Sequence, residues 1–225
     1  MQKRNGLKTL LTSSMLLLGL AGAVAAQAGV LEKVRAHGAV RCGVASDKPG
    51  FSLIDDKGQW TGMDVDLCRA VAAAALGDST KVEYIATTGK NRFTALASGE
   101  IDVLSRATSW TADRIASLGV DFTTVWFYDG QGFMTHAKDG IQKLTDLDGA
   151  TFCLSPGTTS EQNLDDYFSQ RGLTYKTVII EKSPELFAAF QSGRCNAISN
   201  DLSGLASRRA VMNNPQDYAL LPEII

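Results

Sequence analysis

Two histidines, His37 and His136, are all that the chain contains, and none of its four cysteines lies in a Cys-x-x-Cys pair. A zinc site is therefore not expected, and no metal or cofactor is called for. No Ser-His-Asp, Cys-His or His-Glu-x-x-His arrangement is present, so the chain shows no apparatus for nucleophilic or metal-assisted catalysis. Beyond the first 28 residues there is no basic run and no second apolar stretch of bilayer length. Nucleic acid and anionic membrane surfaces lose their electrostatic support as partners. The Gly-containing turn Pro156 to Glu161 lacks a Walker lysine, which argues against a nucleotide phosphate.

What is present begins with an export signal. Lys3, Arg4 and Lys8 precede an apolar core from Leu10 to Val24, and Ala26-Gln27-Ala28 has the small-x-small form of a cleavage site. Residues 1–28 are thus assigned as a signal peptide, cut after Ala26 or Ala28. Removing its three basic residues from 22 Lys and Arg leaves 19 against 24 Asp and Glu, a mildly acidic remainder. Cys42, Cys68, Cys153 and Cys195 would then enter an oxidising compartment, where paired cysteines persist. Four cysteines allow three connectivities, and buried free thiols are the other reading. The distribution, two in each half of the chain, favours Cys42 with Cys68 and Cys153 with Cys195.

Strand and helix patterns alternate through the remainder. "AVRCGVA", "KVEYIAT" and "IDVLS" read as strands, separated by the helical stretches "MDVDLCRAVAAAALG" and "NRFTALASG". "FSLIDDKGQWTG" reads as a hairpin, and the order implies a parallel sheet covered by helices. The unit Arg92 to Ser105 aligns without gaps on Leu186 to Ser199: Phe93 on Phe187, Gly99 on Gly193, Asp102 on Asn196, Ser105 on Ser199. Either generic αβ units coincide or two lobes share one construction. Between the units, "GVDFTTVWFYDGQGFMTHA" is rich in β-branched and aromatic residues and suits an extended crossover. "ATFCLS", "YKTVII" and the second repeat supply the strands of the later half, and "LSGLASRRAVM" a closing helix.

In an open α/β sheet, ligands bind beyond the carboxyl ends of the strands, so residues just after each strand are the candidates. Thr158 and Glu161 have capping-box spacing, and Gly157 before them would let a ligand approach amides that favour an anion. Arg114 lies near the start of a helix, where a cation is unfavourable, yet its planar fork suits a carboxylate; Ser109 and Thr111 would add hydroxyls. Asp201 is either the N-cap of the helix that follows or an acidic counterpart to Arg114. Together these groups match the two charged ends of a free α-amino acid.

The segments "GMDVDLCRAVAAAALGD", "NRFTALASGEIDVLSRATSWT", "YDGQGF", "PGTTSEQNL", "SGLASRR" and "LLPEII" resemble the periplasmic solute-binding proteins of amino-acid ABC transporters. The resemblance is to the general, polar L-amino-acid binding branch. It implies an α/β fold of type II, a two-lobe Venus flytrap, with lobe 1 in residues 29–130 and lobe 2 in 131–225. A monomer of this kind would close on a free L-amino acid in the periplasm and deliver it to a membrane permease, without being an enzyme. By position, Arg114 would grip the α-carboxylate with Ser109 and the Thr159 amide, and Asp201 the α-ammonium. Phe51 would form an aromatic wall, and Arg106, Thr108 and Ser160 would face the ligand's side chain. Ala107 stands where this branch commonly has asparagine, a departure that bears on side-chain preference. A periplasmic cyclohexadienyl dehydratase on the same scaffold is the alternative, and a sensory domain a third. The resemblance further implies a return strand to lobe 1 beyond "LLPEII", so that a chain ending at Ile225 would be cut short, with unpaired sheet edge, lowered stability and poor binding.

Overall fold

A computed structural model describes residues 29–225; the signal-peptide assignment lies outside the described residues. Helix α1 (Val30–His37) leads into β1 (Val40–Val44), then β2 (Asp47–Lys48), β3 (Ser52–Ile54) and β4 (Trp60–Thr61). Next come α2 (Met63–Leu76), β5 (Val82–Ala86), α3 (Arg92–Ser98), β6 (Val103–Leu104) and α4 (Ala112–Leu118). The second half runs through β7 (Gln131–His136), β8 (Thr151–Leu154), α5 (Thr159–Gln170), β9 (Lys176–Ile179), α6 (Ser183–Gln191), β10 (Ala197–Asp201), α7 (Leu202–Ala210) and β11 (Tyr218–Leu220).

The first sheet is parallel in the order β5-β1-β6, and β2, β3 and β4 form a separate antiparallel meander beside it. Its apolar layer joins Val40, Cys42 and Val44 of β1 to Cys68 and Ala72 of α2 and Val34 of α1. Alanines along α2 favour helix, and Gly77 ends it at φ 73°, its N–H donated to the Ala73 carbonyl. The second sheet has the order β11-β7-β10-β8-β9. Alternate residues of its strands serve opposite faces, as strand geometry requires. Phe133 and Phe152 pack with Leu164 and Phe168 of α5, whereas Met134 and Cys153 pack with Phe187 and Phe190 of α6 and Leu205 of α7.

Within the second sheet, β9-β8-β10 repeats the arrangement β5-β1-β6: a first strand in the centre, the second on one side, the third on the other, all parallel. The aligned repeats occupy equivalent places, α3 with β6 and α6 with β10. In lobe 1 the Asp102 N–H donates to the Arg41 carbonyl while its carboxylate accepts from the Arg41 amide and guanidinium. In lobe 2 the Asn196 N–H donates to the Thr151 carbonyl and its side-chain oxygen accepts from the Thr151 amide. Disulfides join Cys42 to Cys68 and Cys153 to Cys195, one inside each lobe.

One expectation is corrected. The stretch read as crossover carries no regular structure only through residues 119–130; from Gln131 it is β7, buried along its whole length and paired with both β10 and β11. A strand buried on both faces has no polar alternation, so its β-branched and aromatic run does not separate it from an extended linker.

Candidate functional site

The carboxyl ends of the parallel strands in the two sheets face each other across a cleft, and the loops leaving them enclose a cavity of about 220 Å³. Its wall draws on the segments after β1 (Asp47, Lys48), β5 (Thr88, Arg92), β6 (Arg106, Ser109), β8 (Thr158, Thr159, Ser160) and β10 (Asn200, Asp201), with Arg114 of α4. Arg114 is 6% exposed. One of its terminal nitrogens donates to the Ser109 carbonyl at 2.7 Å, and its guanidinium lies 5.2 Å from the centre of the Phe93 ring. Burial lowers its pKa, against the opposing charges of Asp201 and Asp113. Thr111 lines an adjoining cavity rather than this one, and its oxygen caps α4 by accepting from the Arg114 amide.

Across the cleft, α5 begins at the cavity wall. Thr158 is its N-cap, accepting from the Glu161 amide, and the Glu161 carboxylate accepts from the Gly157 amide rather than from that of Thr158. The Thr159 and Ser160 amides make no hydrogen bond among the described residues, which leaves two donors at the positive end of a twelve-residue helix. Gly157 is approached by protein rather than by open cavity: a Cβ there would lie 3.0 Å from the Gly89 carbonyl of lobe 1. Asp201 holds the N-cap position of α7 but makes no side-chain cap bond. Its carboxylate instead lies 3.9 Å from the Lys48 ammonium, whose pKa burial lowers although Asp201 opposes the shift.

A model of bacterial extracellular solute-binding proteins, family 3, matches residues 40–192. The chain belongs to this family. Among relatives, the general L-amino acid-binding periplasmic protein AapJ of Rhizobium johnstonii is 50% identical over 204 residues, covering 91% of this chain and 60% of its own. The putative amino-acid ABC transporter-binding protein YhdW of Escherichia coli K12 is 46% identical over 226 residues, covering 99% and 65%. The chain therefore spans about three fifths of the length of these relatives. A solved periplasmic binding protein from Brucella ovis, with glutathione bound, superposes with a TM-score of 0.83 at 48% identity, over 88% of this chain and 62% of that one.

Of the residues singled out in the sequence, Arg106, Ser109, Arg114, Thr159, Ser160 and Asp201 line the one cavity. Phe51 and Thr108 do not; they line an adjoining cavity that shares Ala107, Ser109, Thr159 and Asp201 as a common wall. Phe51 packs edge-on against Phe127, and the Thr108 hydroxyl is held by the Arg106 carbonyl and by Arg92. Ala107 sits between the cavities at φ 40°. Sequence reasoning missed Lys48, Arg92 and Asp64. Lys48 and Arg92 follow strands β1 and β5 and so satisfied the strand-end rule. Asp64, 2% exposed, has one carboxylate oxygen without a partner, and burial raises its pKa.

Proposed function

We propose that this chain is the extracytoplasmic substrate-binding component of an amino-acid ABC transporter, which closes two lobes on a free L-amino acid and presents it to a membrane permease. The observation that carries the reading is one cavity walled by a buried arginine of one lobe, Arg114, and by an aspartate and free helix-terminal amides of the other, Asp201 and the start of α5. Arg114, Ser109 and the Thr159 amide take the α-carboxylate, and Asp201 takes the α-ammonium. Arg106 and Ser160 lie on the side-chain end, and Phe51 and Thr108 back the site from the adjoining cavity. Lobe 1 occupies residues 29–130 and lobe 2 residues 131–225, and the protein acts as a periplasmic monomer. The names of AapJ and YhdW support amino-acid binding for transport over a dehydratase.

Calorimetry on Arg114→Ala tests the assignment. Stranding a buried ligand carboxylate is expected to weaken binding about a hundredfold or more, and near-normal affinity in the folded variant would sink the reading.

A further inference from the structure

Strand β2 of lobe 1 is held by both ends of helix α7 of lobe 2. Near the end of α7, Arg208 donates to the Asp47 carbonyl, and the Asp47 charge favours its cation. At the start of α7, the Asp201 carboxylate lies 3.9 Å from the Lys48 ammonium. Both contacts join groups of the chain itself, so neither needs a ligand to form. The second is exclusive. Among the described residues Lys48 is the one ion-pair partner of Asp201, and Asp201 of Lys48, and the carboxylate does not cap its own helix. The two side chains are 18% and 26% exposed, so solvent and salt screen this pair less than the surface pair of Arg69 and Asp66, at 43% and 68%.

Lys48 has little choice of partner. Pairing of β2 with β3 fixes its backbone, Lys48 opposite Ser52 and Asp47 opposite Leu53. Burial disfavours its charge; Asp201 is the largest attraction on it, Asp64 a smaller one, and Arg106 and Arg92 repel it. Parting from Asp201 therefore leaves a cation among like charges with less to compensate it. Yet the contact is loose. A separation of 3.9 Å exceeds the roughly 2.7–2.9 Å of a charge-assisted hydrogen bond. A free ammonium entering the cleft can thus come closer to Asp201 than Lys48 stands. One carboxylate cannot be sole counter-ion to both.

We propose that Lys48 is a tethered stand-in for the ligand's α-ammonium: paired with Asp201, and helped by Arg208 on Asp47, it latches the lobes of the empty protein together, and an incoming amino acid must displace it. The inference rests on the amino-acid-binding reading above in giving Asp201 to the ammonium; the latch itself does not. Other bonds between the lobes, from the Thr88 hydroxyl to Glu181 at 2.8 Å and from Arg92 to the Gly157 carbonyl at 3.1 Å, support closure without engaging Asp201. Lys48 thereby sets affinity, because the latched fraction of the empty protein cannot admit ligand.

The test begins with small-angle X-ray scattering of protein freed of bound amino acid by dialysis from denaturant. The unmodified protein should be more compact than Lys48→Met, and the exchanged pair Lys48→Asp with Asp201→Lys should be compact again. Equal radii of gyration for the unmodified protein and Lys48→Met, or an exchanged pair as expanded as Lys48→Met, overturns the latch. Calorimetry with the twenty L-amino acids in turn tests the displacement. Neutral ones that bind should bind Lys48→Met about threefold or more tightly, the factor lost when about two thirds of the empty protein is latched. Unchanged or weaker affinity in the folded variant overturns the displacement. If none of the twenty binds the unmodified protein, the amino-acid reading falls, while the scattering still decides the latch.

Discussion

At Ala107 the backbone lies at φ 40°, a region that a Cβ disfavours by roughly 1–2 kcal/mol. Its amide is directed at the buried Asp64 carboxylate, 3.4 Å away, between the two cavities. Ala107→Gly should therefore raise unfolding free energy by about 1 kcal/mol, measurable as a higher Tm. Asp64 yields a pH-dependent expectation. Its folded pKa stands above the ordinary 3.8 because burial outweighs the help of the Ala107 amide, Lys48 and Arg106. The folded state thus binds the proton more tightly, and this group's contribution to stability falls as pH rises from about 3.8 through the raised value. Relative to the unmodified protein, the Tm of Asp64→Asn should climb between pH 4 and pH 7; a difference constant with pH would show that Asp64 does not titrate in this way. "GKNRF" reads as the polar start of a helix, and only the approach of Gly157 from the other lobe makes Arg92 a buried cation.

Elements repeat more deeply than the aligned strings suggest. The offset that sets Ser105 on Ser199 also sets Arg114 on Arg208, and the two arginines stand over the matching phenylalanines, 5.2 Å from the Phe93 ring and 5.0 Å from that of Phe187. Their free ends differ in use. Arg114 lines the cavity, whereas Arg208 crosses to lobe 1 and donates to the Asp47 carbonyl. Asp102 and Asn196 do the same work in the two lobes, tying the third strand to the first. Removing the Asn196 side chain frees one amide, that of Thr151, and should cost about 1 kcal/mol; Asp102→Ala also strands Arg41 and should cost about 2 kcal/mol by denaturant titration. Helices α2, α3, α5 and α6 and the strands they connect were legible because their apolar spacing, glycine stops and caps are local. β7 was not, since its partners β10 and β11 lie far along the chain.

For the molecule as a whole, the two lobes meet where neither has side-chain atoms to spare. A Cβ on Gly89 would lie 2.8 Å from the Pro156 carbonyl of the opposite lobe. Gly89→Ala should then hold the rims apart and weaken ligand binding about tenfold, with little change in Tm; unchanged affinity would show that this contact does not form in the bound state. The charged ends of the site were visible in sequence because Arg114 and Asp201 follow strands of the repeat. The cluster of Arg92, Arg106 and Arg114 was not, because it arises only when the segments after β5 and β6 and the start of α4 converge.

The two sulfur bridges lie end to end along the chain, the first closed by Cys68 before Cys153 begins the second, with spans of 26 and 42 residues. An oxidant that joins thiols in the order in which they emerge from a translocation channel therefore makes both native pairs at the first attempt. Thiol–disulfide exchange is needed to correct wrong pairs, not to reach right ones. Biogenesis of this chain should depend on an oxidase and be indifferent to a disulfide isomerase.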